Sequence, residues 1–312
     1  MLAAALVLGD LGSRPARAQS KPNDYDSAFD AYHWADPLLD WPLKKLCDRI
    51  PALSGLDPAS DQSPLAEILD RVGKNVGAFR KNFVNTTSIE TVEETRTKPD
   101  GSPEKHSQRQ EFRYLMLAAR PGDDNLTEYR TDFAGHEQAP RDPKPGFVKT
   151  LGFASLPLLL SSERQAAYDF KYLGSQAVEG RRTEVIGFAG HPVPEAVSGR
   201  YILYDKPIPL IVQGVAWIDS ASFEVVRMHT DLLAPLAFAG LTQLTTEVVF
   251  REFSFRKGAL ICWLPQVVDV TADFYGRIYR NRHTYSDYQL FSVESGDKIQ
   301  VPKPVPEPPA PQ

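Results

Sequence analysis

Residues 211–232 (IVQGVAWIDSASFEVVRMHTDL) constrain the fold more than any other stretch, because apolar side chains recur there with a period of two on both sides of a polar turn. Val212, Gly214, Ala216 and Ile218 share one face of the first arm, and Ile211, Gln213, Val215 and Trp217 share the other. Asp219-Ser220-Ala221-Ser222 then reverses the chain, since Asp and Ser side chains bond nearby backbone amides. In the second arm Phe223, Val225, Arg227 and His229 alternate with Glu224, Val226, Met228 and Thr230. The pattern predicts an antiparallel hairpin with one face buried. No group in it is arranged for chemistry, so it speaks to architecture.

The same rhythm dominates the rest of the chain after one helix. Ser63 suits an N-cap and Pro64 a first helical position, and Glu67 stands in the first turn. Leu65, Ile68, Leu69, Val72, Val76, Phe79 and Phe83 follow as a three/four-spaced buried stripe. Gly73 and Gly77 each cost about 1 kcal/mol of helix propensity relative to Ala, and suit a close approach to a sheet. Period two then returns over residues 87–97, 108–119 and 127–133, a three-strand meander. It continues over 168–176, 183–189, 199–204, 245–255, 267–274 and 278–291, with Trp263-Leu264-Pro265 closing one strand edge. Residues 147–162 (FVKTLGFASLPLLLSS) break the rhythm with a nearly continuous apolar run. They read as a buried helix or helix-turn, broken near Pro157 and packed on the sheet's concave face. A mobile lid over a cavity is the other reading.

The two ends differ in composition. Residues 1–18 read as an export signal: a short apolar run over 2–8, then Ala16-Arg17-Ala18 as a small-residue cleavage site before Gln19. No basic segment precedes the run, and a disordered Ala-rich leader is the alternative. The run falls short of the about 20 apolar residues that span a bilayer, as does every other segment. Residues 19–62 form an irregular aromatic arm (Tyr25, Phe29, Tyr32, Trp34, Trp41) expected to wrap against the main domain, with one short helical piece over 42–50. Residues 63–292 form the main domain. Residues 293–312 close with VPKPVPEPPAPQ, a disordered, extended Pro-rich tail. Cys47 and Cys262 leave two readings open, one disulfide or two buried free thiols.

Chemistry is sparse. A formal net charge of −5 gives no basic footprint for nucleic acid. The histidines at 33, 106, 136, 191, 229 and 283 lack metal-ligand spacing, and no G-x-S-x-G, P-loop or G-x-G-x-x-G occurs. No catalytic residue, metal or cofactor is therefore assigned. In residues 280–288 (RNRHTYSDY), His283, Tyr285 and Asp287 share one face of a strand. Same-face neighbours lie about 7 Å apart, and no nucleophile accompanies them, so a polar ladder is expected.

The helix ending VGKNVGAFRKNF, the hairpin with Trp217-Ile218-Asp219 before its turn, and the Leu264-Pro265 step within WLPQVVDVTADFYGRIYRNRHTYSDYQLF resemble the periplasmic lipoprotein-carrier superfamily, the LolA/LolB-like outer-membrane lipoprotein-sorting proteins. Uncharacterised secreted bacterial proteins with the same C-terminal block are similar too. The resemblance covers roughly residues 63 to 292. It implies an α+β, mainly antiparallel fold, an incomplete half-open β-barrel covered by helices, in a periplasmic or secreted protein. It further implies non-enzymatic binding of a lipid, acyl chain or other apolar ligand on the concave face. Candidate lining residues are Phe147, Leu151, Phe153, Leu156, Leu158 and Leu159, with Leu236 and Phe238 from the apolar loop. A cell-envelope interaction module with a filled core is the alternative, and a hydrolase assembled around His283, Tyr285 and Asp287 ranks below both. Resembled carriers lack the aromatic arm, the Pro-rich tail and the insertion over 134–162.

Overall fold

Strands that alternate inward and outward side chains must share a sheet, and here nearly all of them share one. The computed structural model describes residues 4–8, 24–98, 100, 102–118, 126–136, 149–203 and 206–291. The strands are β1 (Ala4–Leu8), β2 (Asp57–Pro58), β3 (Thr86–Thr97), β4 (Pro103–Leu117), β5 (Thr127–Thr131), β6 (Lys149–Leu151) and β7 (Tyr168–Val178). They continue with β8 (Arg181–Gly190), β9 (Val197–Leu203), β10 (Lys206–Asp219), β11 (Val225–Leu232), β12 (Leu241–Phe255), β13 (Leu260–Phe274) and β14 (Arg277–Leu290). The main path runs β2-β7-β8-β10-β11-β12-β13-β14-β3-β4-β5. Its terminal strands do not pair with each other, so the sheet stays an incomplete barrel, as expected. A side flap consists of β9 on β10, with β1 between β9 and β6.

Helix α3 (Leu65–Asn82) buries Ile68, Val72, Gly73 and Val76 against the inner face. Ser63 does not cap it: Pro64 stands at the cap position, and Ser63 donates through its N–H and hydroxyl to Asp61 instead. A Cβ on Gly73 would lie 2.7 Å from Ser162 Oγ, so this glycine permits the close approach, whereas Gly77 faces open space.

The hairpin forms as β10 and β11, with Ala216 facing Met228 and Val215 facing His229. Two expectations are corrected. A bulge between Trp217 and Ile218 shifts the register, and Phe223 belongs to the turn with φ +59° rather than to the second arm. Both faces are buried, not one: Ala216, Ile218 and Met228 enter the inner core, while Val215 and Trp217 enter a second cluster with Leu38, Leu46, Ile50 and Leu53. Those four belong to the aromatic arm. The arm holds the expected short helix as α2 (Leu43–Arg49) and is otherwise more regular than expected, with α1 (Asp24–His33) and with β2 paired to β7. Tyr32 is buried and donates its hydroxyl to Pro209 O, but Trp34 is 89% exposed and wraps nothing.

Pro265 does not close a strand. Residues 260–274 run as one strand, with a bulge opposite Val249 and Phe250 that accommodates a residue lacking an N–H. The described part of this stretch, residues 149–162, holds no α-helix: β6 is followed by a 3-10 helix, Leu156–Leu160, with Pro157 inside its first turn. Cys47 packs on the outer cluster and Cys262 lies in the inner core, and both are free thiols. The proposed cleavage site and the Pro-rich tail fall outside the described residues.

Candidate functional site

The inner face is apolar under α3 and polar toward β3, β5 and β14. Parity on β3 turns Glu90, Val92 and Glu94 inward, and the pairing of β14 with β3 sets His283 beside Val92 and Tyr285 beside Glu90. Arg130 reaches Glu90 from β5 through both Nε and Nη2, the latter at 2.6 Å. The same Nη2 donates to Thr150 O at 2.6 Å. His283 Nδ1 lies 2.8 Å from Glu90 Oε1, its Nε2 lies 2.9 Å from Thr150 Oγ1, and Tyr285 donates to Glu90 at 2.8 Å. Glu90, Thr150 and His283 have no exposure to water, and Arg130 has 1%.

Burial pushes the Glu90 carboxyl up, but the charge and hydrogen bonds of Arg130, with the hydrogen bond from His283, outweigh it and hold the pKa at about 2. Burial pulls the His283 imidazole down against the pull of Glu90, so the ring is neutral. Nδ1 then carries the proton toward Glu90, and Nε2 accepts from Thr150. Burial pushes Tyr285 up.

A second carboxylate fastens the apolar run. Partly buried Glu128 accepts from Gly152 N (2.9 Å), Ser155 N (3.1 Å), Ser155 Oγ (2.7 Å) and the Tyr114 hydroxyl. Burial pushes its pKa up to about 7, against those donors, which favour the charged form. Beyond this anchor Leu151, Phe153, Leu156, Leu158 and Leu159 are each at most 5% exposed. The edge of Phe153 meets His283 with ring centroids 5.0 Å apart. Gln165 Nε2 ties the far end by donating to Leu69 O of α3 and to Leu160 O.

Five of the eight candidate lining residues are thus brought together on the inner face as one block. Leu236 is buried in the same core cluster, Phe238 is 42% exposed, and Phe147 lies outside the described residues. With so little accessible surface on the block, its side chains fill the space that an apolar ligand would need. The expectation that His283, Tyr285 and Asp287 share a face is corrected. The ladder shifts between Ser286 and Gln289, and Asp287, at φ +54°, is exposed. Glu90, Glu128, Arg130 and Thr150 were missed. For Glu90, Glu128 and Arg130 the only mark in the sequence is parity, a charged residue at an inward position of TSIETVEETRT or TEYRT, which tells nothing of its partner, and Thr150 carries no mark at all.

Thr150, His283 and Glu90 stand in the order hydroxyl, imidazole, carboxylate of a hydrolytic triad. The surroundings favour structure over catalysis. Glu90 is spent on Arg130, the imidazole is a depressed base, and all three groups are sealed from substrate. Among the described residues no group of His, Cys, Asp and Glu is placed to hold a metal ion. On the outer face a cleft of about 180 Å³ is lined by Arg181, Arg227, Arg251 and Trp263. Each guanidinium there already meets a carboxylate, from Asp219, Glu247 and Glu179 respectively.

No family model and no curated protein matches the sequence. Solved structures do. A domain named for outer-membrane lipoprotein sorting from Vibrio parahaemolyticus is 13% identical, with 73% of this chain and 94% of that chain covered and a TM-score of 0.40. A DUF1329 family protein from Desulfovibrio piger is 9% identical over 73% of this chain and 93% of its own, TM-score 0.34. A LolA superfamily protein from Nitrosomonas europaea is 9% identical over 74% of this chain and 97% of its own, TM-score 0.31. At these identities and TM-scores they carry nothing about ligand or activity. No helix among the described residues is long and apolar enough to cross a membrane.

Proposed function

We propose that the protein is a non-enzymatic periplasmic or secreted carrier that binds an acyl chain or another apolar ligand on the inner face, where residues 151–160 now lie. One observation supports this reading above others. The inner face is covered there by a short apolar 3-10 segment hung from polar contacts at its ends rather than by a long packed helix. Such a segment is an internal stand-in for a ligand. Leu151, Phe153, Leu156, Leu158, Leu159 and Leu236 would line the site once it moves, with Phe238 at the rim and Phe147 as a further proposed contact. The ligand competes with the segment, so its apparent affinity is reduced by the fraction of open molecules.

The near-complete burial of residues 151–160 favours a second reading, a cell-envelope interaction module whose core is permanently filled. Native mass spectrometry with lipid extraction, together with titration of cis-parinaric acid, separates the two. A carrier yields a bound apolar molecule or saturable probe binding, and Glu128→Gln, which weakens the anchor, tightens the probe several-fold. If no apolar molecule is recovered and neither protein binds the probe, the filled module stands instead.

A further inference from the structure

We propose that the gap between β6 and β9 is a docking slot for an extended, aliphatic, proline-free peptide segment of another polypeptide. In the precursor it is filled by the chain's own Ala4–Leu8. The inference rests on reading residues 1–18 as a removable export signal, and of the residues proposed to line the acyl site it shares only Leu151.

Strand β1 is held on both sides. It runs parallel to β6 through Ala5↔Lys149, Leu6↔Thr150 and Val7↔Leu151, and antiparallel to β9 from Ala4↔Leu203 to Leu8↔Gly199. Removing it leaves two strand edges facing across about 9.5 Å, twice the spacing of paired strands. Both edges are fixed from behind. On β9 the opposite side is paired to β10 from Lys206↔Leu203 to Ile211↔Val197. At β6, Arg130 holds Thr150 O and His283 holds its hydroxyl. With both walls anchored to the main sheet, the gap persists as a slot one strand wide.

The chemistry of the slot selects its occupant. Each wall presents backbone N–H and C=O groups that need partners once β1 has gone. Only another peptide backbone offers donors and acceptors along both of its edges, as in strand addition. An acyl chain would fill the volume and leave both ladders unmade. The apolar surroundings, Leu151, Tyr201 and Leu203, match the AALVL composition of the segment now seated there. The C-terminal tail is a poor occupant, because prolines at 302, 304, 306, 308, 309 and 311 remove the N–H groups a ladder requires.

The test uses the chain recovered from the cell envelope, its N-terminus fixed by mass, and the unprocessed chain made without export. The probe is a fluorescein-labelled peptide of residues 3–8 carrying three appended lysines, followed by anisotropy. The mature chain is expected to bind it saturably at one site. The unprocessed chain, and a peptide with Val7→Pro, are expected to bind at least tenfold more weakly. Hydrogen exchange should slow at residues 199–203 when the peptide is present. Three results would overturn the proposal: equal binding by mature and unprocessed chains, equal binding of the Pro peptide, or an envelope form that still carries residues 4–8. Displacement of the peptide by cis-parinaric acid would also overturn it, by making the slot an acyl site. Probe binding without displacement supports it, and leaves the carrier reading to its own test.

Discussion

Glu90 meets Arg130, His283 and Tyr285 with its two oxygens in a place water does not reach. Removing one partner of such a buried pair strands the other charge, at a cost of about 3–5 kcal/mol. Arg130→Met is therefore expected to lower unfolding free energy in urea by that amount, and Glu90→Gln/Arg130→Met by less than the two single changes added. Additive costs would mean that the pair does not act as a unit. The two carboxylates also respond to pH with opposite signs. Glu90 is held at about 2 in the fold against an ordinary 4.5, so its contribution is present above 4.5 and lost as pH falls toward 2. Glu128 is raised to about 7, so the closed fold binds its proton more readily than the unfolded chain does. That contribution is full below about 4.5 and lost as pH rises through 7. Glu224, raised to about 7 by burial and by Asp219, acts in the same sense. His283, pulled below its ordinary 6.5 by burial, acts in the opposite sense up to about that pH, so the carboxylates are read from their variants: between pH 5 and pH 8 the urea midpoint of Glu128→Gln and of Glu224→Gln should fall less, or rise more, than that of the parent protein. A variant whose midpoint follows the parent's across this range would contradict the assignment for that carboxylate. Of this network the sequence offers only His283 and Tyr285 on one strand face. Their partners come from β3, β5 and β6, which no local spacing connects.

The hairpin β10–β11 depends on close backbone contact. A Cβ on Gly214 would sit 1.9 Å from His229 O, a backbone atom that cannot swing away. Gly214→Ala is expected to destabilise by about 1–3 kcal/mol or more, through strain of the overpacking kind. Thermal melting monitored by circular dichroism measures it, and an unchanged midpoint would mean that the strands can part without cost. Elements were legible where a periodic pattern ran long: α3, the meander and the hairpin lie within a few residues of expectation. They were misread where one local signal was over-weighted. Pro265 was expected to close a strand, yet a bulge absorbs it. Helix α1 was missed although Asp24 and Asp26 stand in its first turn and Ala28 and Tyr32, four apart, are its buried positions.

Across the molecule, the arm explains why the hairpin is apolar on both sides. Leu38, Leu46, Ile50 and Leu53 cover Val215, Trp217 and Val226, while Arg49 reaches Asp231 at 3.0 Å and Leu38 N donates to Gln213. Ile50→Ala opens a cavity in this cluster and is expected to cost about 2–5 kcal/mol. Limited proteolysis should then cut within residues 34–62 sooner than in the parent protein, while the segment at 151–160 stays protected. Simultaneous cutting at both places would mean that the arm and the inner core unfold as one unit.

Residues 211–232 and the period-two runs around them determined, without any coordinates, a large antiparallel sheet and the inward parity of most of its side chains. Side-chain parity is local, set by a backbone that turns successive residues to opposite faces. What lies against each face is not local. That the arm buries the outer face of the hairpin, that residues 151–160 fill the inner face, and that Glu90 meets Arg130 and His283, which in turn hold Thr150, were decided only by the tertiary structure. These contacts join residues up to 193 apart in the chain. A buried charge is tolerable only where its partners converge in three dimensions, and the sequence records each partner without recording the meeting.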